Sequence, residues 1–382
     1  LDNQHRLMKS LERAGRLDRA VEYLPDDETM AERTTSKHGL YRPEIAVLMS
    51  YAKLWTYDEL LASDVPDDKY LFNDLLHYFP TPLREAYRDD ISKHRLRREI
   101  IATRLTNAMI NRMGGSFINE VREKTGKGVA EITRAWFIAH EVFEMPALWS
   151  AIEQLDNKVP AETQTSMMLD SHHLLEWVTL WFLRHGEPGL DIGVHVDAFR
   201  DGMRTLAGDL SSTLPAHYVD DVKTRGRPYI DHGVPEALAL RVANLVNLYS
   251  GCDVVRLATR RKMDVLNIAK AYFAVGTRFR MGRLRAAAES MEADSHWQQL
   301  AIAALVEEIY SHQLRLAERA LDAAKKGTTP KKAVEDWITA NTALVQPTDQ
   351  MLGELWNIEV NDLSMIQVAS RQLRTMVDGA AG

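Results

Sequence analysis

Cysteine is almost missing from this sequence: Cys252 is the only one in 382 residues. A single thiol excludes an intramolecular disulfide and any zinc knuckle built on cysteine pairs. A secreted, disulfide-stapled scaffold is thereby excluded, and a reducing cytoplasm is the expected setting. Cys252 lies in a Ser250-Gly251-Cys252-Asp253 break with no histidine beside it in sequence, so it reads as a structural thiol rather than a nucleophile. Long apolar runs are missing as well; no stretch approaches the ~20 residues of a membrane span. The flank Leu1-Asp2-Asn3-Gln4-His5 has neither signal-peptide nor transit-peptide character, and a leucine start reads as a piece of a longer polypeptide. Nor is there an excess of positive charge. With 47 Lys and Arg against 54 Asp and Glu the net charge is -7, which argues against nucleic acid as a main partner.

Catalytic signatures are equally sparse. Dinucleotide binding on a strand–turn–helix unit needs a G-x-G-x-x-G turn, so that pyrophosphate meets bare backbone N–H groups. None occurs, and Gly114-Gly115 follows a helical pattern. Gly126-Lys127-Gly128 lacks the remainder of a phosphate loop and reads as a connection between helices. His140-Glu141 lacks the second histidine of a zinc-protease turn. The pairs Asp67-Asp68, Asp89-Asp90 and Asp220-Asp221 all lack the third aspartate that magnesium-binding prenyl-transferring helices carry one turn on.

What remains is an ordinary globular composition, 45% hydrophobic and 26% charged, dominated by helical periodicity. Leu96, Ile100, Ile101, Leu105, Ala108, Met109 and Met113 share one helical face, ended by Gly114-Gly115. Thr163 to Arg184 is a long helix by the same reading. The longest is expected over 295–326, capped by Asp294 or Ser295 and closed by Lys325-Lys326-Gly327. Its apolar stripe starts at Trp297 and runs through Leu300, Ala301, Ala304, Leu305 and Ile309. A helix of that length needs neighbours or a partner subunit to cover it. Pro43, Pro235 and Pro330 each mark a first turn. The only strand-like alternation, Ile192 to Val196, is short, and Thr224 through Pro235 reads as a surface loop. The predicted fold is all-α: an irregular multi-helix bundle with little or no β-sheet. Two helical lobes, 1–186 and 187–382, are expected, divided at the His185-Gly186-Glu187-Pro188-Gly189 connector.

Three constellations are candidates for chemistry. Arg278, Arg280, Arg283 and Arg285 form a basic cluster near Arg260-Arg261-Lys262, suited to an anionic ligand or to a neighbouring subunit's carboxylates. The plainer reading is a solvated helix face paired with local acids. His172, His173 and Glu176 share one helical face, and Glu308 and His312 stand one turn apart. A carboxylate-bridged metal site in a bundle needs several such turns facing one another, so ordinary polar faces account for these better.

Several strings resemble one family. They are Gly39-Leu40-Tyr41-Arg42-Pro43-Glu44-Ile45-Ala46-Val47-Leu48-Met49-Ser50-Tyr51-Ala52-Lys53, Arg98-Glu99-Ile100-Ile101-Ala102-Thr103, Asn107-Ala108-Met109-Ile110-Asn111-Arg112-Met113-Gly114, Tyr272-Phe273-Ala274-Val275-Gly276 and His296-Trp297-Gln298-Gln299-Leu300-Ala301. Together they resemble the carboxyl-terminal region of the large bacterial NAD-specific glutamate dehydrogenases. The resemblance implies a parent enzyme that converts L-glutamate, NAD and water to 2-oxoglutarate, ammonium and NADH, with its catalytic domain upstream. It implies a helical, non-catalytic region that binds no cofactor, meets the catalytic domain of its own chain, and belongs to a regulated homo-oligomer. No catalytic residue of the family carries over onto these positions, and Lys53 lacks the glycine-rich setting of the reactive lysine. A free-standing helical scaffold and, behind it, a helix-bundle metalloenzyme are the alternatives.

Overall fold

The computed structural model describes residues 1–293, 295–358, 360 and 362–379. Every regular element among them is helical: 21 α-helices and three short 3-10 helices, with no strand. This is the all-α class that the periodicity predicts. The Arg97–Met113 helix shows why. Ile100, Ile101, Leu105, Met109 and Met113 are buried along one side, and Gly114 accepts the left-handed backbone that ends it.

Three local expectations need correcting. Ile192 to Val196 is not a strand but the first turns of the Ile192–Thr213 helix. Ile192 and Val196 are buried while Val194 is 65% exposed, the partition of a 3.6-residue period and not of a two-residue one. Thr224 through Asp231 is not a loop either, since the Ala216–Asp231 helix runs through Gly226 and Pro228. Here glycine serves packing: a Cβ at 226 would lie 3.1 Å from Leu240 Cδ2 on the following Glu236–Ala243 helix. The real turn is His232 to Pro235, where Gly233 has φ +90°. Cys252 stands in the first turn of the Gly251–Arg261 helix, not in a break. It is 1% exposed, and burial holds its thiol pKa well above the ordinary value, so it is an inert core residue.

The chain divides into two compact units, Leu1–Glu153 with Thr165–Ala198, and Gln154–Gln164 with Phe199–Gly382. The first is built around the Val129–Val142 helix, which is buried on nearly every side and needs apolar neighbours all round. Arg42–Ala62, Arg97–Met113, Phe117–Thr125 and Met145–Glu153 supply them. The one guanidinium on that helix that enters the interior, Arg134, is neutralised by Asp68 at 2.6 Å and Asp64 at 3.2 Å.

The second unit is organised by the His296–Ala323 helix. It starts as expected, with the Ser295 hydroxyl accepting from the Gln298 N–H, and stops three residues short of Lys326; Asp294 lies outside the described residues. At ~1.5 Å per residue it is roughly 40 Å long, and the helices Gly251–Arg261, Val265–Arg278, Met281–Glu289, Pro330–Ala340 and Leu363–Gly379 cover it. Its buried stripe begins later than expected. Trp297 is 78% exposed, and burial sets in at Leu305, Val306, Ile309 and Tyr310. His312 and Gln313 follow, two polar side chains in the interior.

Candidate functional site

The basic cluster separates into two groups. Arg278 sets both terminal nitrogens on the two oxygens of Asp349, with Nη1 to Oδ1 at 2.7 Å. Arg260 pairs with Glu318, and Arg261 pairs with Glu318 and Asp322. These three are ordinary surface ion pairs, the plainer of the two readings. Arg280, Arg283 and Arg285 instead line a cavity of about 470 Å³ in the second unit, together with Arg225. Among the described residues, none of these four stands in an ion pair with a carboxylate.

Each wall of the cavity has a local cause. Arg225 and Tyr218 come from the Ala216–Asp231 helix. Gly276 and Thr277 end the Val265–Arg278 helix. Between that helix and Met281–Glu289 the chain turns sharply, and Arg280 takes up φ +51° to make the turn. Left-handed backbone at a non-glycine residue carries strain of order 1 kcal/mol. Arg283, Arg285 and Glu289 then follow on the short helix, and Tyr310 contributes from the long one.

Arg285 is the floor. It is 8% exposed, with its guanidinium carbon 4.1 Å from the centre of the Tyr310 ring. Nη1 donates to Gln313 Oε1 at 2.8 Å, and Gln313 Nε2 donates to the Tyr272 carbonyl at 2.9 Å. Gly276 makes that arrangement possible. A Cβ there would lie 2.4 Å from Gln313 Nε2 and 3.0 Å from the Tyr218 hydroxyl. Burial raises the Tyr218 pKa against the opposing Arg285 charge, so the phenol stays a neutral hydroxyl. Burial likewise raises the Glu289 carboxyl, while Arg285 and Arg225 pull it back down. The cavity lining thus includes four arginines and two acids, Asp221 and Glu289, with the Arg283 guanidinium stacked over the Trp356 ring 4.3 Å from its centre.

The histidine sets are placed differently. In the first unit, Glu176 takes Lys124 at 2.7 Å and leaves His172 at 3.9 Å, while the His172 and His173 rings lie edge to face. In the second, Glu308 accepts from the Ser370 hydroxyl and pairs with Arg374, and His312 turns into the core. Among the described residues, no group of three or more His, Cys, Asp or Glu side chains is placed to hold a metal ion.

Residues 37–375 match the family described as glutamate dehydrogenase, C-terminal. The chain belongs to this family. It is 34% identical to the NAD-specific glutamate dehydrogenase of Pseudomonas aeruginosa over 98% of its own length. Against the enzyme of the same name from Halomonas elongata it is 33% identical over 96%, and against that of Mycobacterium tuberculosis 27% over 94%. The chain spans only 22–23% of the length of these relatives.

Two of the strings that carry the resemblance have visible structural work in this glutamate dehydrogenase C-terminal chain. In Gly39 to Lys53, Glu44 caps the Arg42–Ala62 helix by accepting the Tyr41 N–H at 2.6 Å, and Arg33 grips the same carboxylate at 2.7 and 2.9 Å. Lys53 is a half-buried residue in the middle of that helix. In Tyr272 to Gly276, the first residue lends its carbonyl to Gln313 and the last leaves room for it.

Proposed function

We propose that this chain is the helical carboxyl-terminal region of an NAD-specific glutamate dehydrogenase. The whole enzyme would oxidatively deaminate L-glutamate to 2-oxoglutarate and ammonium in the cytoplasm and reduce NAD. Within it this region supports the catalytic domain and the assembly of a homo-oligomer, takes part in regulation, and performs no hydride transfer and binds no NAD itself. The observation that carries the reading is the family match over 37–375, joined to relatives bearing that enzyme's name and about four times as long.

The helical architecture supports the division of labour. Dinucleotide sites of the glycine-rich kind sit at the carboxyl edge of a parallel sheet, whereas every regular element among the described residues is a helix. In the second unit the long His296–Ala323 helix is packed along its length by five neighbouring helices. No helix among the described residues is long and apolar enough to cross a membrane.

The test is a pair of assays. The 382-residue chain, given L-glutamate and NAD, is expected to produce no NADH by absorbance. The parent polypeptide with these residues removed is expected to lose its native oligomeric mass. Turnover by the isolated chain would end the non-catalytic reading, and a truncated parent that assembles and works normally would end the supporting role.

A further inference from the structure

We infer that the cavity between Ala216–Asp231, Met281–Glu289 and Tyr310 is a binding site for a small dianion carrying phosphate or carboxylate groups. Arginines elsewhere in this segment, Arg260, Arg261 and Arg278, all have carboxylate partners. None of the four that line the cavity has a carboxylate at ion-pair distance among the described residues; Glu289 acts on Arg285 and Arg225 only from farther off, and Arg285 is 8% exposed. For Arg285, taking a guanidinium out of water without a carboxylate in direct contact is costly. Replacing such a group with an apolar side chain would be the simpler solution for a core position.

Arg285 is held from behind by Gln313 and Tyr310, so its orientation is set before any ligand arrives. Gln313 spends its amide on Tyr272, which fixes the carbonyl end that faces Arg285. Arg280 is brought to the rim by a left-handed turn just before the Met281–Glu289 helix, whose Gly282 also lines the space. Guanidinium forks and the neutral Tyr218 hydroxyl are donors suited to oxyanion oxygens. Among the lining residues, four arginines outnumber Asp221 and Glu289 by two, an excess of positive charge that a dianion balances. A space of about 470 Å³ admits a small molecule. Burial of Arg285 favours such a ligand over the surface carboxylates of a partner protein.

Titration calorimetry on the 382-residue chain in low-chloride buffer tests this, with inorganic phosphate and succinate as separate probes. One saturable site for at least one probe is expected, and the responding probe tells a phosphate ligand from a dicarboxylate. Arg225→Ala with Arg280→Ala should weaken binding at least tenfold with the helical circular-dichroism signal unchanged, because both side chains are exposed. Arg278→Ala, outside the cavity, should bind as the parent does. The inference is overturned if neither probe saturates, if the double variant binds normally, or if Arg278→Ala weakens binding as much. It is overturned too if the arginine pair proves to hold chains together, seen as loss of oligomer in the double variant without any anion binding by the parent.

Discussion

At position 312 the long helix buries an imidazole that its spacing from Glu308 had suggested as half of a metal-binding turn. The carboxylate is taken by Ser370 and Arg374 instead, and the ring is 2% exposed. Burial, with the Arg315 charge next and Asp378 opposing, holds the His312 pKa down to about 4, from an ordinary 6.5. The ring is therefore neutral in the folded chain at pH 7. Between these two values the unfolded chain binds a proton that the folded one refuses, so stability falls as pH drops from 6.5 through 4. The loss is expected to be roughly 2–3 kcal/mol. Urea melts of the parent and of His312→Leu at several pH values check it: the variant should show a flatter acid limb. Identical slopes would mean that His312 titrates normally. Side chains of the arginine cavity were legible only in part at this scale. Arg280, Arg283 and Arg285 stand together in sequence, but Gln313 is 28 positions from Arg285 and Tyr272 is 41 from Gln313. Arg225 was hidden in a stretch read as loop. No local pattern announces partners that only tertiary packing brings together.

Elements were read more fully, because burying one face of a helix imprints a 3.6-residue period that needs no knowledge of the partner. The failures came where two signals compete. Ile192, Val194 and Val196 fit a strand over five residues, and only the later Met203, Leu206 and Leu210, all buried, extend the pattern into a helix. Glycine misleads for a related reason, since it also allows two helices to approach closely. Between the Ile192–Thr213 and Gly251–Arg261 helices it does so twice. A Cβ at Gly202 would lie 2.8 Å from Val255 Cγ1, and one at Gly251 would lie 2.7 Å from Met203 Cε. The two contacts differ in what can give way. Valine is fixed at χ1 by its branching, whereas methionine has three rotatable bonds. Gly202→Ala is therefore expected to destabilise by about 1–3 kcal/mol despite alanine's better helix propensity. Gly251→Ala should fall within about 1 kcal/mol of the parent. Denaturant midpoints of the two variants decide the matter, and equal losses would show that the helices separate rather than repack.

Across the whole chain, each compact unit has a buried apolar core of its own. Trp136 and Phe182 are fully buried in the first, Tyr272 and Phe279 in the second. Yet the units are not successive lengths of chain: 154–164 belongs to the second unit while 165–198 returns to the first. Such a crossing leaves no composition shift or linker, so hydrophobic patterning has nothing to mark it with. If each core is its own cooperative body, damage to one should stay there. Leu373, fully buried in the Leu363–Gly379 helix, is a suitable lesion: Leu373→Ala removes packing worth ~2–5 kcal/mol. Hydrogen exchange followed by mass spectrometry should then quicken in Val265–Arg278 and His296–Ala323, which belong to the same unit. Protection of Val129–Val142 should stay at the parent's level. Faster exchange of equal size in both sets would mean one cooperative body, in which the two cores melt together because the chain passes between them more than once.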